Sequence, residues 1–179
     1  MRIGFGYDSH RFAEGRRLVL GGIEFPGETG LAGHSDADVL VHAIVDALLG
    51  AAALGDIGSH FPDTDPQWQD VDSTELLAAV TKEVRAAGYR IGNVDATVIC
   101  ERPKLRPCIE LIRERLASVM SVGKGRVSVK GKTNEKMDDV GAGLGMMMAP
   151  EKKQYERKFA KAMKTMKNIV EDIGDEIGF

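Results

Sequence analysis

Residues 34–46 read His34-Ser35-Asp36-Ala37-Asp38-Val39-Leu40-Val41-His42-Ala43-Ile44-Val45-Asp46. The pattern predicts a helix from about Asp38 to the glycines at 50–55, with Ser35 or Asp36 able to cap its exposed N–H groups. Val41, Ile44, Val45, Leu48 and Ala52 recur at three- and four-residue steps and predict a buried face. Asp38, His42 and Asp46 lie four apart and share another face, one residue per turn. A helix that buries one side and carries acids and a histidine on another is suited to placing a charged site. The same ladder also fits a plain solvated face.

Working towards the N-terminus, Ile3, Phe5 and Tyr7 alternate with Gly4, Gly6 and Asp8, and His10 continues the second set. This period of two predicts a strand on which Asp8 and His10 point the same way. The two glycines leave room for something to approach the backbone closely. Carboxylate and imidazole at this spacing suit a bidentate contribution to a metal site, or simply a polar strand end. Gly4-x-Gly6 lacks the third glycine of a dinucleotide fingerprint and no helix follows, so that motif is excluded. Arg17 to Phe25 has the form of a β-hairpin turning on Gly21-Gly22.

Towards the C-terminus, the loop 55–66 carries three carboxylates and two prolines and does not have calcium-loop spacing. Its place beside the polar helix face suits substrate contacts as well as a solvated loop. Asp72 to Gly88 predicts a capped amphipathic helix, with Asp72 and Glu75 at its start. A strand is expected over Val94–Cys100, a helix from Pro107 to about Met120, and a strand over Arg126–Lys130. Gly131-Lys132-Thr133-Asn134-Glu135-Lys136 then ends that strand with ammonium groups, a hydroxyl and a carboxylate. The group could hold phosphates, with Glu135 on a divalent cation, or form an ordinary polar turn. Residues 141–145 read as a flexible Gly-rich segment. From Glu151 the chain becomes rich in lysine and glutamate, with Tyr155, Phe159, Met163, Met166 and Val170 at helical spacing. Met146 to Ala149 are followed by Pro150, which argues against an interior strand there. His60 reads as a surface loop histidine, and Trp68 as a packed loop residue.

Composition sets the class. At 179 residues the chain suits one domain with a real core. The net charge of -3 argues against non-specific nucleic-acid binding. Two cysteines without CxxC spacing fit a reducing cytoplasm. No apolar run reaches the roughly 18 residues of a membrane helix, and the first residues read as a strand and not as a signal peptide.

The order of these signals is itself informative. Gly-Tyr-Asp-Ser-His (6–10), Gly-His-Ser-Asp-Ala-Asp (33–38) with His42, and the run from Asp46 to Gly58 come first. Phe-Pro-Asp-Thr-Asp-Pro (61–66), Gly-Asn-Val-Asp (92–95), Pro-Lys-Leu (103–105) and Lys-Gly-Lys-Thr-Asn-Glu-Lys (130–136) follow. Over roughly residues 1–137 this set resembles the 2-C-methyl-D-erythritol 2,4-cyclodiphosphate synthases of the non-mevalonate isoprenoid pathway.

The resemblance implies an α/β fold of the α+β two-layer kind, a mixed β-sheet packed on helices. It implies a single catalytic domain over 1–150, followed by a charged helical tail over 151–179. Such enzymes assemble as cytoplasmic homotrimers with active sites between subunits, and act on no nucleic acid or membrane.

By the same resemblance, Asp8, His10 and His42 are the expected Zn2+ ligands, and Glu135 the ligand of Mg2+ or Mn2+ on the substrate diphosphate. Asp8, Ser9, His10, His34, Ser35, Asp56, Ile57, Gly58, Phe61, Pro62, Asp63, Thr64 and Asp65 are expected to contact the phosphate and methylerythritol end. Asp46, like Asp38, is expected beside the metal or at the substrate. Cys100, Glu101, Arg102, Pro103, Lys104, Leu105 and Arg106, with Lys132, Thr133, Asn134 and Glu135, are expected to hold the cytidine and its phosphates. His34 and Thr133 are the expected catalytic pair, assisting at phosphate.

The implied reaction is a metal-dependent phosphorus–oxygen lyase step. The 2-phosphate of 4-diphosphocytidyl-2-C-methyl-D-erythritol 2-phosphate attacks the β-phosphorus, closing the 2,4-cyclodiphosphate and expelling CMP. The alternative is a catalytically reduced relative that binds metal and nucleotide and acts through partners. The chain departs from the family pattern at Asp139, Ala142 and Leu144, where an aromatic residue, an arginine and a glutamate are usual. The resemblance associates the first two with the trimer's central cavity and with phosphate contacts.

Overall fold

A computed structural model describes residues 1–148 of the chain. The tail expected to be helical, with Pro150 and the boundary at 150, lies outside the described residues.

Strand β1 (Asp8–Ala13) is followed by the short strands β2 (Val19–Leu20), β3 (Ile23–Glu24) and β4 (Gly30–Leu31). Helices α1 (Val39–Ala52), α2 (Ile57–His60) and α3 (Ser73–Ala86) come next. The remaining elements are β5 (Val94–Ile99), α4 (Ile109–Val119), β6 (Val127–Lys132), α5 (Asp138–Gly141) and β7 (Gly145–Met148). Five strands form a mixed sheet in the order β4-β1-β7-β5-β6, with β5 and β6 parallel and the other neighbours antiparallel. β2 and β3 form the separate hairpin expected from its two glycines, and Gly21 (φ +61°) and Gly22 (φ +71°) adopt the left-handed geometry that such a turn requires.

Helix α1 organises the core. Val39, Leu40, Val41, Ala43, Ile44, Val45, Leu49 and Ala52 are all buried, so apolar contact extends well beyond the predicted stripe. A helix enclosed on most sides belongs in the middle of a fold. α1 lies against β1, β7 and β5, while α3 packs on α1 and α4 packs on β6. One cluster joins Ile44 and Leu49 of α1 to Leu77 and Val80 of α3, Ile112 and Leu116 of α4, and Val98, Val129, Met146 and Met148 of the sheet. Each such side chain removed from water contributes about 1.5–3 kcal/mol. The expected mixed sheet packed on helices is what is observed.

Three local expectations are corrected. The cap of α1 is neither Ser35 nor Asp36 but Asp38, whose carboxylate accepts the Val41 N–H at 3.1 Å and the Gly22 N–H at 2.7 Å. Asp38 is fully buried and ties the hairpin turn to the helix, so it is not at the site.

Met146, Met147 and Met148 form an interior strand after all, β7, between β1 and β5. Strand β7 is described over four residues, Gly145–Met148, and Pro150, on which the opposite expectation rested, lies outside the described residues. Unbranched methionine adapts to the irregular space between sheet and α1.

His60 is no free surface residue. Its ring Nε2 donates to the Leu54 carbonyl at 2.8 Å and its Nδ1 lies 3.2 Å from Glu83, bracing α2 against α3. Trp68 packs edge-on against Phe61 at 5.0 Å, as expected of a packed loop residue.

Candidate metal centre and phosphate loop

The glycines ahead of β1 decide how closely strand and helix meet. A Cβ on Gly6 would lie 1.8 Å from the Ala43 carbonyl oxygen, and one on Gly4 1.7 Å from that of Ala47. The body admitted by the glycines is therefore the backbone of α1. Asp8 and His10 on β1 are thereby brought to His42, one turn into α1. Asp8 Oδ2 lies 2.9 Å from His10 Nε2 and 3.0 Å from His42 Nδ1, and the two ring nitrogens are 3.3 Å apart. Asp8 Oδ1 accepts the Ser9 N–H at 2.8 Å, which leaves Oδ2 facing the histidines.

Burial alone would raise the Asp8 pKa, but the hydrogen bonds and charge of His10 and His42 hold it well below the usual carboxylate range. Burial would lower the His10 pKa, and Asp8 overrides it upwards. Three donors this close repel or share protons unless a cation sits between them. A four-coordinate ion with bonds of about 2.0–2.1 Å has ligand–ligand edges of about 3.3–3.4 Å. The observed edges are within a few tenths of an ångström of that, and two imidazoles with one carboxylate suit zinc with a fourth position open.

The other ring nitrogen of His42 is also engaged. Nε2 lies 2.9 Å from Ser73 Oγ and 3.0 Å from Ser35 Oγ. Ser73, the first residue of α3, hydrogen-bonds through its hydroxyl and its N–H to the Asp36 carboxylate. Sequence reading did not find Ser73. The available signal was its position directly after Asp72, which already caps α3 through the Thr74 N–H. A second capping-type residue there had no local task.

Around this centre, His34 donates from Nε2 to the Asp65 carbonyl at 3.2 Å, and its own carbonyl accepts the Asp70 N–H at 2.8 Å. The loop 61–65 is thus fastened to the segment entering α1, with Phe61 and Pro62 half-buried and Asp63 and Thr64 exposed. Asp65 and Asp56 act locally as caps, Asp65 towards Gln67 and Asp56 towards Ser59. Asp46 accepts the Ile57 N–H at 2.8 Å, holding the Asp56-Ile57-Gly58 turn to α1. Of the acidic face proposed for α1, only His42 therefore enters the metal cluster.

A second cluster forms at the C-terminal ends of parallel β5 and β6. The Cys100 N–H donates to the Lys132 carbonyl at 2.9 Å, and Gly131 lies against Leu105, so the segments 100–106 and 131–136 run side by side. Glu101 accepts the N–H groups of Asn134 (3.0 Å) and Lys136 (3.4 Å). Its carboxylate thus shapes the loop from within. Thr133 Oγ1 donates to Glu135 Oε1 at 2.5 Å. Glu135, Lys136 and Asp138 have positive φ (+51°, +60°, +57°), so the loop is held in costly backbone geometry. Arg102, Lys104, Arg106 and Lys132 are exposed around it, whereas Cys100, Pro103 and Leu105 are buried. Burial pushes the Cys100 thiol up to about 11, which makes it a packing group and no nucleophile at neutral pH.

Strand register relates the two clusters. Asp8 pairs with Met148, Met148 with Val98, and Val98 with Gly131. Three strand spacings separate Asp8 from the start of the 131–136 loop, about 14 Å.

The family model described as the YgbB family matches residues 1–152. The chain belongs to the YgbB family. A curated relative named 2-C-methyl-D-erythritol 2,4-cyclodiphosphate synthase, from Gloeobacter violaceus, is 61% identical over 146 residues, covering 82% of this chain and 90% of the relative. A solved structure of 2C-methyl-D-erythritol-2,4-cyclodiphosphate synthase in a CDP-bound form is 38% identical, with a TM-score of 0.75 over 82% of this chain and 95% of that one. The bifunctional IspDF of Campylobacter jejuni has a TM-score of 0.79 and 39% identity. The match takes in 82% of this chain but only 40% of that longer one. Among the described residues, no helix of this YgbB-family chain is long and apolar enough to cross a membrane.

Proposed function

We propose that the chain is a 2-C-methyl-D-erythritol 2,4-cyclodiphosphate synthase, working as a homotrimer with each active site shared between neighbouring copies. It converts 4-diphosphocytidyl-2-C-methyl-D-erythritol 2-phosphate to the cyclic diphosphate and CMP. The 2-phosphate oxygen bonds to the β-phosphorus, and the bond from that phosphorus to the bridging oxygen breaks, so CMP leaves with the oxygen and the electron pair. The observation that carries the reading is the Asp8–His10–His42 cluster on a strand and helix of this family's fold.

Zinc held by Asp8, His10 and His42, with magnesium or manganese at Glu135, would supply positive charge to two phosphates that must approach each other. The chain's own residues do the rest. His34, anchored by the 61–65 loop, offers its ring at the reacting phosphate, and Ser35 lies beside His42. The turn 56–58 and the loop 61–65 orient the methylerythritol hydroxyls, with Asp46 steadying that turn. Main-chain groups of 100–106, the Lys104 and Lys132 ammonium groups and Thr133 take the cytidine and its phosphates. The attacking oxygen is already anionic, so alignment and charge neutralisation suffice and no general base is required.

Two features support sharing between copies. A separation of about 14 Å within one copy is too large for a single diphosphate to touch both clusters. Ile3, Phe5 and Tyr7, opposite the glycines that face α1, are 77%, 53% and 48% exposed. Such an apolar stripe beside the sheet suits burial against further copies. Both described cysteines are free thiols, in keeping with the cytoplasmic location included in this reading.

Phosphorus NMR tests the reading. Protein with the diphosphocytidyl substrate and metal should yield cyclic diphosphate and CMP, and chelation should stop it. A linear product would indicate a hydrolase. Unchanged substrate from zinc-loaded protein would move the chain to a non-catalytic, nucleotide-binding role.

A further inference from the structure

We propose that Ser73 and Asp36 are positioning residues that set the tautomer and orientation of His42 as a metal ligand. The inference rests on the zinc reading above and deepens it.

Asp36 in its carboxylate form can only accept, and it accepts both the hydroxyl and the N–H of Ser73. A serine hydroxyl has one proton, and that proton is committed to Asp36. Ser73 Oγ therefore faces His42 Nε2, 2.9 Å away, as an acceptor, and Nε2 must carry the hydrogen. A neutral imidazole with its proton on Nε2 has its lone pair on Nδ1, the nitrogen that faces Asp8 and His10. The chain Asp36–Ser73–His42 thus aims the ligand and increases its basicity, as outer partners of metal-bound histidines do.

Ser35 Oγ, 3.0 Å from the same nitrogen, is a poorer anchor. It already accepts the Ala37 N–H at 3.2 Å and lies 3.4 Å from Ser73 Oγ, and among the described residues no carboxylate oxygen is one of its hydrogen-bond partners. The parts come from three places: the loop before α1, the first turn of α3, and α1 itself. Ser73 is completely buried, so water does not compete for the contact.

The test combines chelator competition for zinc with long-range proton–nitrogen correlation on the zinc-loaded, histidine-labelled protein. Wild-type His42 should show a protonated Nε2, protected from exchange, and a metal-bound Nδ1. Ser73→Ala should bind zinc about 10–100-fold more weakly and lose the protection, with little change in the melting temperature of the metal-free protein because Asp72 still caps α3. Ser35→Ala should keep a zinc affinity and a His42 Nε2 protection close to those of wild type.

Equal zinc affinity in wild type and Ser73→Ala, or a wild-type His42 bound through Nε2, would overturn the relay alone. The second result needs no variant to fold. Wild-type protein that takes up no zinc would overturn the metal reading and the relay together.

Discussion

Replacing Gly6 by alanine should dismantle the metal centre without touching a ligand. The added Cβ would sit 1.8 Å from the Ala43 carbonyl oxygen, and contacts below 3.0 Å are essentially never made by a real Cβ. The opposing atom is helix backbone, so no side chain can swing away. The chain leading into β1 and helix α1 must part by about 1.2 Å at this point. Taken up between Asp8 and His42, that movement stretches their 3.0 Å separation to about 4.2 Å, beyond the roughly 3.3 Å edge of a four-coordinate site. Overpacking of this kind costs about 1–3 kcal/mol, a melting temperature lower by roughly 3–10 °C for a chain of this size. Zinc affinity, measured by chelator competition, should fall about 10–100-fold. Gly92→Ala, where an added Cβ meets nothing within 4 Å, is the control and should behave as wild type. A Gly6→Ala protein with unaltered zinc affinity and melting temperature would refute the claim that backbone contact sets the ligand spacing.

Further expectations concern other parts of the chain. His42→Ala should abolish zinc uptake while far-ultraviolet circular dichroism keeps its helical signal, because alanine is a good helix former and α1 is held by its buried face. Phe5→Glu, which puts charge in the exposed apolar stripe, should shift sedimentation from trimer towards monomer and remove cyclase activity together with assembly. A trimeric, active variant would exclude that stripe from the interface. Burial and the neighbouring Asp36 raise the Asp38 pKa from 3.8 to about 6, so the folded state holds this proton more tightly than the unfolded state. The contribution of Asp38 to stability should therefore fall as pH rises from about 4 to about 6 and be level above that. Melting curves of metal-free wild type against Asp38→Asn across that range check it, and a wild type that gains stability relative to the variant as pH rises would contradict the sign.

Much of the site could be read in the sequence because its parts are periodic. Period two in β1 aligned Asp8 with His10, and the helical repeat of α1 placed His42 on one face. The hairpin on Gly21-Gly22 was likewise legible, since two left-handed glycines in a row fit few other structures. The errors came where a residue's partner is distant in the chain. Asp38 caps α1 and not the site because a turn sixteen residues earlier presents its N–H there. Met146–Met148 enter the middle of the sheet because the gap between β1 and β5 is filled by whichever segment returns to it, whatever its strand propensity.

The sequence by itself determined the ligand types, the strand and helix that carry them, and the family to which the chain resembles. Only the tertiary structure decided that Gly6 lets those two elements touch, and that Ser73 completes the second side of His42. It also decided that Ile3, Phe5 and Tyr7 face outward while the glycines face in. Periodicity is a local property of the backbone and survives in the sequence. Which face is buried depends on what packs against it, and that is settled by contacts between residues far apart along the chain.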